Sequence, residues 1–280
     1  MKSSVAVDGG ALATVRPMSY PRVGEPPPVA FFSFAEITDP TKHRAFNEYH
    51  QLDHRPANLA LPGVFYGERF VRTPACRDAS LAPDPRYERF HYFNYYMFRD
   101  DTPETRAEWT RLGSLAAYWG RKPDHAWSER TMGFYRTLKG YASPRVRVSP
   151  EVVPIRPATG VLVTIRELQG EPDRIDDFGR WMDTVHIPAL LECEGVAGAY
   201  TFVSENGFPV NAVATAPPDG RPTMAIVLFL DGDPLAVGAA VGARHESGAL
   251  GPAWDDDAVA RLQFAGPLEA ITPWQWDWFD

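Results

Sequence analysis

The sequence predicts an α+β protein made of two similar halves in tandem, each with the β-α-β-β-α-β order of a ferredoxin-like unit. One observation behind this is an internal repeat, in which residues 46–71 match residues 178–203 at a constant offset of 132. Another is that short apolar runs and helical patterns alternate in the same order in both halves. A gapless match of this length indicates a true repeat rather than chance similarity.

The repeat keeps particular residues in place. It pairs Phe46 with Phe178, His54 with His186, Pro56 with Pro188, Gly63-Val64 with Gly195-Val196 and Phe70-Val71 with Phe202-Val203, and it matches Tyr49 with Trp181. These pairs predict that the two halves share one architecture.

The first half follows an N-terminal arm, residues 1–28, whose scattered Gly, Ser and Pro predict a flexible or surface-draped segment. In the first repeat, residues 29–142, Asp39-Pro40 provides an N-cap and a first-turn proline for a helix. That helix should end at Arg55, because Pro56 disfavours the α region for its neighbour. The expected strands are 29–37, 63–72, 89–98 and 132–138, with a loop over 74–85 and a second helix from about 103 to 119.

The second half follows a Pro-punctuated linker, residues 143–157, and occupies residues 158–280. Its expected strands are 161–168, 195–203, 224–230 and one around 264–268, with a helix over 172–185 and a loop over 207–222. Trp274, Trp276 and Trp278 alternate with other residues at the C-terminal end. This alternation suggests an extended segment that packs tryptophan on the other half.

Composition excludes several function classes. A formal net charge of -8 over 280 residues argues against binding to a nucleic-acid backbone. The two cysteines, Cys76 and Cys193, make neither a disulfide framework nor a metal motif, which suits a reducing cytoplasm. No apolar run reaches the length of a membrane span, and no GxGxxG, Walker-type or GxSxG motif occurs. We therefore expect a cytoplasmic protein with a small-molecule substrate, without nucleic-acid or membrane partners.

The pattern aromatic-x4-His-x-Pro followed by Gly-Val stands at Tyr49–Val64 and again at Trp181–Val196. It resembles the EthD-like branch of the dimeric α/β-barrel superfamily. The resemblance implies two ferredoxin-like sheets face to face, helices outside, and small molecules bound between sheet and helices. A tandem copy would form this pseudo-dimeric α/β barrel within one chain, which could assemble further into a homo-oligomer. Relatives include cofactor-free monooxygenases, polyketide cyclases, lactone isomerases, hydroxynitrile lyases and haem enzymes, so the resemblance leaves the activity open.

Histidine is the usual proton carrier near neutral pH, which makes His54 the first candidate for catalysis. Because Pro56 should stop the helix, the imidazole can point at the mouth of the sheet. The alternative is that His54 and His186 are structural, each binding a backbone carbonyl to fix the turn from helix to strand. That alternative stays open for the pair because both halves keep the histidine.

The third strand differs between the halves, and this difference favours His54 over His186. At the offset of 131 given by the strand exits, Tyr92, Asn94 and Tyr96 align with Thr223, Ala225 and Val227. The residues between them are apolar in both halves, so the alternation predicts that the polar set faces the barrel interior. There it would need partners, from a polar ligand or from an internal network or ordered water.

Tyr92 and Tyr96 therefore join His54 as candidate catalytic residues. The candidate substrate-binding residues are Asn94, Tyr49, Arg69, His91, His186, Trp181 and Arg166. Arg69 stands where the second half has Thr201, and Arg69 or His91 could approach an anionic group. For both residues an exposed position at a strand end is the alternative.

Four polar residues, His43, Asn47, His50 and His54, recur at helical spacing on one helix face. His50 and His54 could chelate a metal ion, but no carboxylate or cysteine completes a ligand set. We therefore expect a solvated polar face, and neither a metal nor any other cofactor.

Two main functions fit these residues. One is a cofactor-independent enzyme in which His54 moves a proton on a mostly apolar, aromatic or polyketide-like molecule, by cyclase, isomerase, dehydratase or lyase chemistry. The other is a non-catalytic small-molecule-binding or scaffold protein with structural histidines. Cofactor-free monooxygenation is a third possibility.

Overall fold

A computed structural model describes residues 25–121, 128–205, 221–252, 254 and 258–279. Eight antiparallel strands form a closed barrel in the order β1-β3-β2-β8-β5-β7-β6-β4, so the chain is α+β as the sequence predicts. The strands are β1 (Val29–Ile37), β2 (Val64–Val71), β3 (Tyr92–Phe98), β4 (Ser128–Ala142), β5 (Gly160–Leu168), β6 (Val196–Ser204), β7 (Thr223–Leu230) and β8 (Ala260–Ala270). The N-terminal arm up to residue 24 and residues 206–220 of the expected loop lie outside the described residues.

Helical segments connect the strands. They are α1 (His43–Tyr49), α2 (Arg55–Leu59), α3 (Pro74–Asp78), α4 (Pro103–Tyr118), α5 (Pro172–Trp181), α6 (Ile187–Leu191) and α7 (Pro234–Glu246). A π-helical turn joins α1 to α2 over His50–His54, and another joins α5 to α6 over Met182–His186. No helix in the described ranges is long and apolar enough to cross a membrane.

The two halves use the same strand order. Read from one end, the first half runs β4-β1-β3-β2 and the second β8-β5-β7-β6. The seam between β4 and β6 extends from Tyr135 to Ala142, whereas β2 meets β8 only at Phe70 and Val71. The side chain of Arg55 covers part of the remaining β2 edge, with its Nε donating to the Gly67 carbonyl over 3.0 Å.

The barrel interior is packed with aromatic and branched apolar side chains from both halves. The Phe32 ring, for example, lies 5.2 Å from that of Phe93 and 4.9 Å from that of Phe202 in the other half. Edge-to-face contacts of this kind add to the burial of apolar area that stabilises the barrel. The interior is therefore a hydrophobic core.

The predicted facing of the third strand is wrong. Phe93, Tyr95 and Met97 point into the barrel, while Tyr92, Asn94 and Tyr96 point at the helices. The cause is the assumption that the residues apolar in both halves face the helices: both faces of β3 are buried, the shared apolar set fills the barrel core, and polar residues of the helical segment meet the other set.

The strand pairing shows the correct register. Phe98 pairs with Val29 at the start of β1, and Leu230 pairs with Gly160 at the start of β5, so the strands match at an offset of 132. From there to the helix-starting prolines, Pro103 and Pro234, the second half has one residue fewer. The offset of 131 taken from the strand exits therefore does not apply to the strand itself.

The first helix does not end at Arg55 as predicted, because α2 continues through Pro56 to Leu59. A proline has no N–H for the carbonyl four residues back, and its ring crowds that carbonyl. The wider π turn accommodates it: the Arg55 N–H donates to the His50 carbonyl, five residues earlier. In the second half the Ile187 N–H donates to Met182 in the same way, just before Pro188. The repeated His-x-Pro thus specifies a widened turn inside a continuous helix.

The linker between the halves closes one end of the barrel. Val153 and Pro154 are buried in a short 3-10 segment, Pro150–Ile155. The Tyr95 hydroxyl of the first half donates to the Pro154 carbonyl over 3.0 Å, and the Tyr200 hydroxyl of the second half donates to that of Pro150 over 2.9 Å. Each half therefore holds the same 3-10 segment, Pro150–Ile155, which acts as a plug at this end of the barrel.

Two other segments differ from expectation. The stretch expected as a loop over 74–85 contains α3, and its Leu81 forms a bridge to Ala265 on the β8 edge that β2 leaves free. The C-terminal segment turns rather than running straight. As predicted, it packs on the first half, because Trp276 is buried with Phe46 and Val71, while Trp274 is 69% exposed.

The strand β2 carries a glycine whose missing side chain makes room for a ring. A Cβ at Gly67 would overlap Cδ1 of Tyr96 and lie 3.1 Å from the Tyr95 carbonyl oxygen. At the corresponding positions the second half has Ala199 and Leu228. We expect Gly67→Ala to lower the free energy of unfolding by about 1–3 kcal/mol, measured by urea denaturation, because it overpacks this site.

A matched control is Gly133→Ala on β4, whose added Cβ would have nothing within 4 Å and should be nearly neutral. The double variant Gly67→Ala/Tyr96→Leu reproduces the pair of the second half and should recover most of the lost stability. Equal stability of Gly67→Ala and the wild type would contradict this packing.

Candidate functional site

A polar cluster lies between the outer face of the first-half sheet and the helical segment from α1 to α2. The helical segment contributes His43, Asn47, His50, Gln51, His54 and Asn58, and the sheet contributes Arg69, Tyr92, Asn94 and Tyr96. At the offset of 132 the second half has mostly apolar residues in these places: Ile175, Gly179, Met182, Asp183, His186, Leu190, Thr201, Met224, Ile226 and Leu228. The same fold is thus built once with an apolar layer and once with a polar one.

Arg69 is the centre of the cluster and is fully buried. Its Nε donates to Oδ1 of Asn94 over 3.0 Å and its Nη2 to Oδ1 of Asn47 over 2.8 Å, with a longer contact of 3.5 Å from Nη1 to Oε1 of Gln51. Its guanidinium also lies 5.6 Å from the centre of the Phe46 ring. Burial lowers the Arg69 pKa to about 10, so the side chain is still charged at neutral pH.

Tyr92 fixes α1 to the sheet. Its hydroxyl accepts from Nδ2 of Asn47 over 2.8 Å and lies 2.9 Å from Nδ1 of His43. Because an amide nitrogen only donates, the hydroxyl proton is free to donate to His43, which then carries its own proton on Nε2. The Asn47 amide also donates to the His43 carbonyl. Tyr92 and Asn94 are therefore held inside the network, with their polar groups engaged by protein.

His54 ends the first π turn and is partly exposed at the edge of the cluster. Its Nε2 lies 3.2 Å from Nδ2 of Asn58 and its Nδ1 lies 3.4 Å from the Tyr49 hydroxyl, whose ring stacks on the imidazole. Since Nδ2 of Asn58 donates, Nε2 accepts and the neutral ring carries its proton on Nδ1. Burial, followed by the Asp53 charge, raises the pKa of Tyr49 to about 12, so this hydroxyl stays protonated.

Tyr96 lies on the sheet beside Asn58, and its buried hydroxyl makes no hydrogen bond of normal geometry to the described residues, although the Asn58 side chain is close enough to affect its pKa. Burial raises the Tyr96 pKa, and Asn58, followed by the Arg69 charge, opposes that rise. A buried hydroxyl without a well-formed hydrogen bond costs about 1–3 kcal/mol of folding free energy. The Tyr96 hydroxyl can therefore gain free energy by donating to a bound acceptor.

His50 has a structural contact. Its Nδ1 lies 2.9 Å from the Phe46 carbonyl and donates to it, and the ring packs on Phe46 at 3.9 Å between centroids. Complete burial, followed by the charges of His54 and Arg69, lowers the pKa of His50 well below its usual value. His50 is therefore neutral and holds the start of the π turn.

His91 lies at the end of the cluster, next to His43 and Phe279. Its Nδ1 accepts from the Ile37 N–H over 3.1 Å, which ties β3 to the end of β1. Burial, followed by His43 and then Arg77 and Arg72, lowers the pKa of His91 to about 3. The structure gives His91 a backbone-fixing contact.

The remaining candidates lie in the second half, on the corresponding outer face of the sheet. His186 stacks on Trp181 at 4.7 Å between centroids, Trp181 donates to the Pro252 carbonyl, and Arg166 donates to the Ala260 carbonyl. The structure thus brings together Tyr49, His54, Arg69, Tyr92, Asn94 and Tyr96, and separates them from His186, Trp181 and Arg166.

The expectation of a solvated face on α1 is wrong, because His43, Asn47 and His50 are buried. They face the polar side of β2 and β3, so burial costs less than it would against an apolar sheet. Sequence reasoning missed Gln51 and Asn58, although Asn58 stands four residues after His54 on the same helix face. In the described part of the chain no three His, Cys, Asp or Glu side chains are placed to share a metal ion.

Comparisons with protein-family models and with curated proteins find no match. Solved structures with a similar arrangement of elements include a candidate monooxygenase from Lactobacillus acidophilus NCFM, at 8% identity over 86% of this chain and 96% of that chain (TM-score 0.47). An anthrone oxidase-like protein matches at 10% identity over 89% and 93% (TM-score 0.46). A dye-decolorizing protein from V. cholerae matches at 9% over 90% and 95% (TM-score 0.44). At TM-scores below 0.5 these likenesses do not assign a function to this chain.

Three histidines with lowered pKa values, His50 buried and His91 and His186 partly buried, predict a loss of stability in acid. His91, with a pKa of about 3, His186, with a pKa of about 4, and His50 stay neutral in the folded protein, whereas an unfolded histidine titrates near 6.5. Stability is therefore complete above about pH 6.5 and falls as the pH drops toward these lowered values, by less than about 2 kcal/mol per histidine at about pH 5, because solvent screens the partly exposed His91 and His186. Urea unfolding over a pH series measures this.

The substitution His91→Asn should remove the contribution of His91 to the loss of stability in acid. Its Oδ1 can still accept from the Ile37 N–H, but the amide does not titrate. A control is His245→Asn, at an exposed histidine on α7; its charge is only the third cause of the lowered pKa of His186, so this variant should change the pH dependence much less than His91→Asn. If both variants gave the wild-type slope, the neutral buried state of His91 would be refuted.

Proposed function

We propose that the chain is a cofactor-independent enzyme that moves protons on a mostly apolar, aromatic or polyketide-like small molecule, with His54 as the general acid and base. The observation that carries the proposal is the pairing of a partly exposed imidazole with the buried hydroxyl of Tyr96, which has no hydrogen bond of normal geometry to the described residues; both lie next to Asn58. The substrate would bind at the edge of the polar cluster, between β3 and the segment from α1 to α2.

The apolar counterpart in the second half supports a functional role for the cluster. Its helices pack on the sheet through Met182, Met224 and Leu228, so this fold does not require a polar layer. Burying a guanidinium and amides costs free energy of desolvation, which apolar packing avoids. Proteins commonly retain such costly groups where their function needs them. The difference between the copies therefore favours a site in the first half.

Each residue has a distinct proposed role. His54 takes or gives the proton through Nε2, which requires the Asn58 amide to turn its oxygen toward the protonated ring. Tyr96 donates to a substrate oxygen on which charge develops, and the nearby positive charge of Arg69 strengthens that interaction. Tyr92 and Asn94, predicted as catalytic and substrate-binding, hold Asn47 and Arg69 in place instead. Cyclisation, isomerisation, dehydration and lyase reactions all use one such base and one such donor.

We also propose that the chain is an intramolecular pseudo-dimer of two ferredoxin-like units of the EthD-like kind. The gapless repeat and the identical strand order of the halves support this. The paired π turns before Pro56 and Pro188 support it as well, since the same unusual turn stands at the same place in each half.

A second candidate is a non-catalytic binding or scaffold protein. The packed barrel interior and the mutual hydrogen bonds of Tyr92, Asn47, Arg69 and Asn94 favour it, because most of the predicted polar set already has protein partners. Cofactor-free monooxygenation is a further candidate, which would consume oxygen in the presence of an activated phenol or quinol.

Deuterium uptake tests for proton transfer directly, whatever bond the full reaction makes or breaks. We expect the protein in D2O to accelerate exchange of the acidic C–H of enolisable aryl ketones, followed by mass spectrometry. His54→Ala should slow this exchange by about 100-fold or more, since general acid–base catalysis contributes about 10²–10⁴-fold. Tyr96→Phe should slow it by about 100-fold, because it removes a donor to the developing oxyanion.

The control His186→Ala removes the matching histidine of the second half and should keep the exchange rate. Unfolding of every variant is measured in parallel, so that a loss of fold is not read as a loss of chemistry. Binding of the ketones with equal exchange in wild type and His54→Ala would favour the scaffold instead. Oxygen uptake that depends on the ketone or a quinol would favour the monooxygenase.

A further inference from the structure

A second group of positive side chains lies beyond the end of β2, apart from the His54 cluster. Arg77, on α3, is partly exposed as a whole, but its Nε and Nη2 are buried and have no hydrogen-bond partner among the described residues. These two nitrogens form one edge of the guanidinium, with parallel donors that match two oxygens of a carboxylate or phosphate. An unpartnered edge of this kind lacks its acceptor.

Arg72, the residue after β2, adds a second charge nearby. It is 2% exposed, and its Nε donates to the Ser80 hydroxyl over 3.3 Å, while the Ser80 N–H donates to the Arg77 carbonyl. Its Nη1 donates to the backbone carbonyls of Tyr87 and Glu88. The partners of Arg72 in the described chain are thus neutral.

One acidic side chain of this region, that of Glu269, is engaged elsewhere. Oε1 of Glu269 accepts from the Thr73 hydroxyl over 2.8 Å and lies 3.5 Å from Sγ of Cys76. No ion pair forms between Arg72 or Arg77 and a described carboxylate. Two guanidinium groups close together, one of them buried, repel each other unless an anion lies between them. Burial, followed by the charge of Arg77, lowers the pKa of Arg72 to about 10.

We propose that Arg77, with the charge of Arg72 behind it, binds a small oxyanion through two adjacent oxygens, a carboxylate or a phosphate group. Rotation about the last bonds of the Arg77 side chain, which already reaches the surface, turns its free edge to the solvent. The bound anion fixes α3 against the end of β2 and neutralises the pair of charges. The site is independent of the proton-transfer chemistry at His54.

Thermal unfolding of the full chain tests the site. Sodium phosphate and sodium acetate replace sodium chloride at constant ionic strength, and the shift in melting temperature is compared among wild type, Arg77→Met, Arg77→Lys and Arg89→Met. Arg89 is the matched control, because it is an exposed arginine paired with Glu36. Salts that are excluded from the protein surface stabilise most proteins in a general way. Comparing the variants with one another separates that general effect from binding at Arg77.

We expect one or both anions to raise the wild-type melting temperature by about 3 °C more than that of Arg77→Met, as a bound ligand at concentrations well above its Kd would. Arg89→Met should respond like the wild type, and Arg77→Lys should lose most of the extra rise because it keeps the charge but not the two-donor edge. A response to phosphate alone assigns a phosphate group, and a response to acetate assigns a carboxylate.

In chloride, Arg77→Met should melt at the wild-type temperature or above, since it removes an unpartnered buried edge. Equal anion-dependent rises in wild type and Arg77→Met would overturn the proposal. So would a large loss of stability of Arg77→Met and Arg77→Lys in chloride, which would show that the protein itself uses that edge.

Discussion

The buried guanidinium of Arg69 is the constraint on which the arrangement of the first half depends. A charge without solvent needs acceptors in fixed directions, and Asn47 and Asn94 supply them from the helix and from β3. Tyr92 then has to meet Asn47, which places α1 over the end of the sheet. In the second half Thr201 replaces Arg69, and the network is replaced by apolar contacts. The replacement of this one charged residue thus accompanies the replacement of the whole polar layer by an apolar one.

The π turn decides where that layer meets solvent. Because Pro56 cannot donate to the carbonyl four residues back, the helix widens at His50–His54 rather than ending. The widened turn places His50 toward the sheet and His54 at the rim, where Tyr49 and Asn58 hold its two nitrogens. In the second half the same turn places His186 on Trp181. The proline therefore sets the position of the histidine, and the surroundings set its chemistry.

The repeat and the apolar runs predict the order of strands and helices, since burial on both faces leaves a clear mark at Val29–Ile37. Periodicity could not give the facing of Tyr92, Asn94 and Tyr96, because both faces of β3 are buried and alternation alone does not say which face meets the barrel core and which meets the helices. It could not give Asn58 or Gln51 either, because polar residues on a helix look solvated until the facing sheet is known. The polar difference between the halves was nevertheless visible in the sequence.

The two halves divide stability from function. Residues of both halves fill one barrel core, and Tyr95 and Tyr200 hold one plug, so neither sheet forms its core alone. The second half adds an apolar layer under its helices, which contributes burial without the desolvation of charges. The first half can then hold the buried charge of Arg69 and the poorly hydrogen-bonded hydroxyl of Tyr96, at a cost that the shared core offsets. A duplicated fold with one copy kept apolar is therefore a physical route to a costly buried polar site in a stable chain.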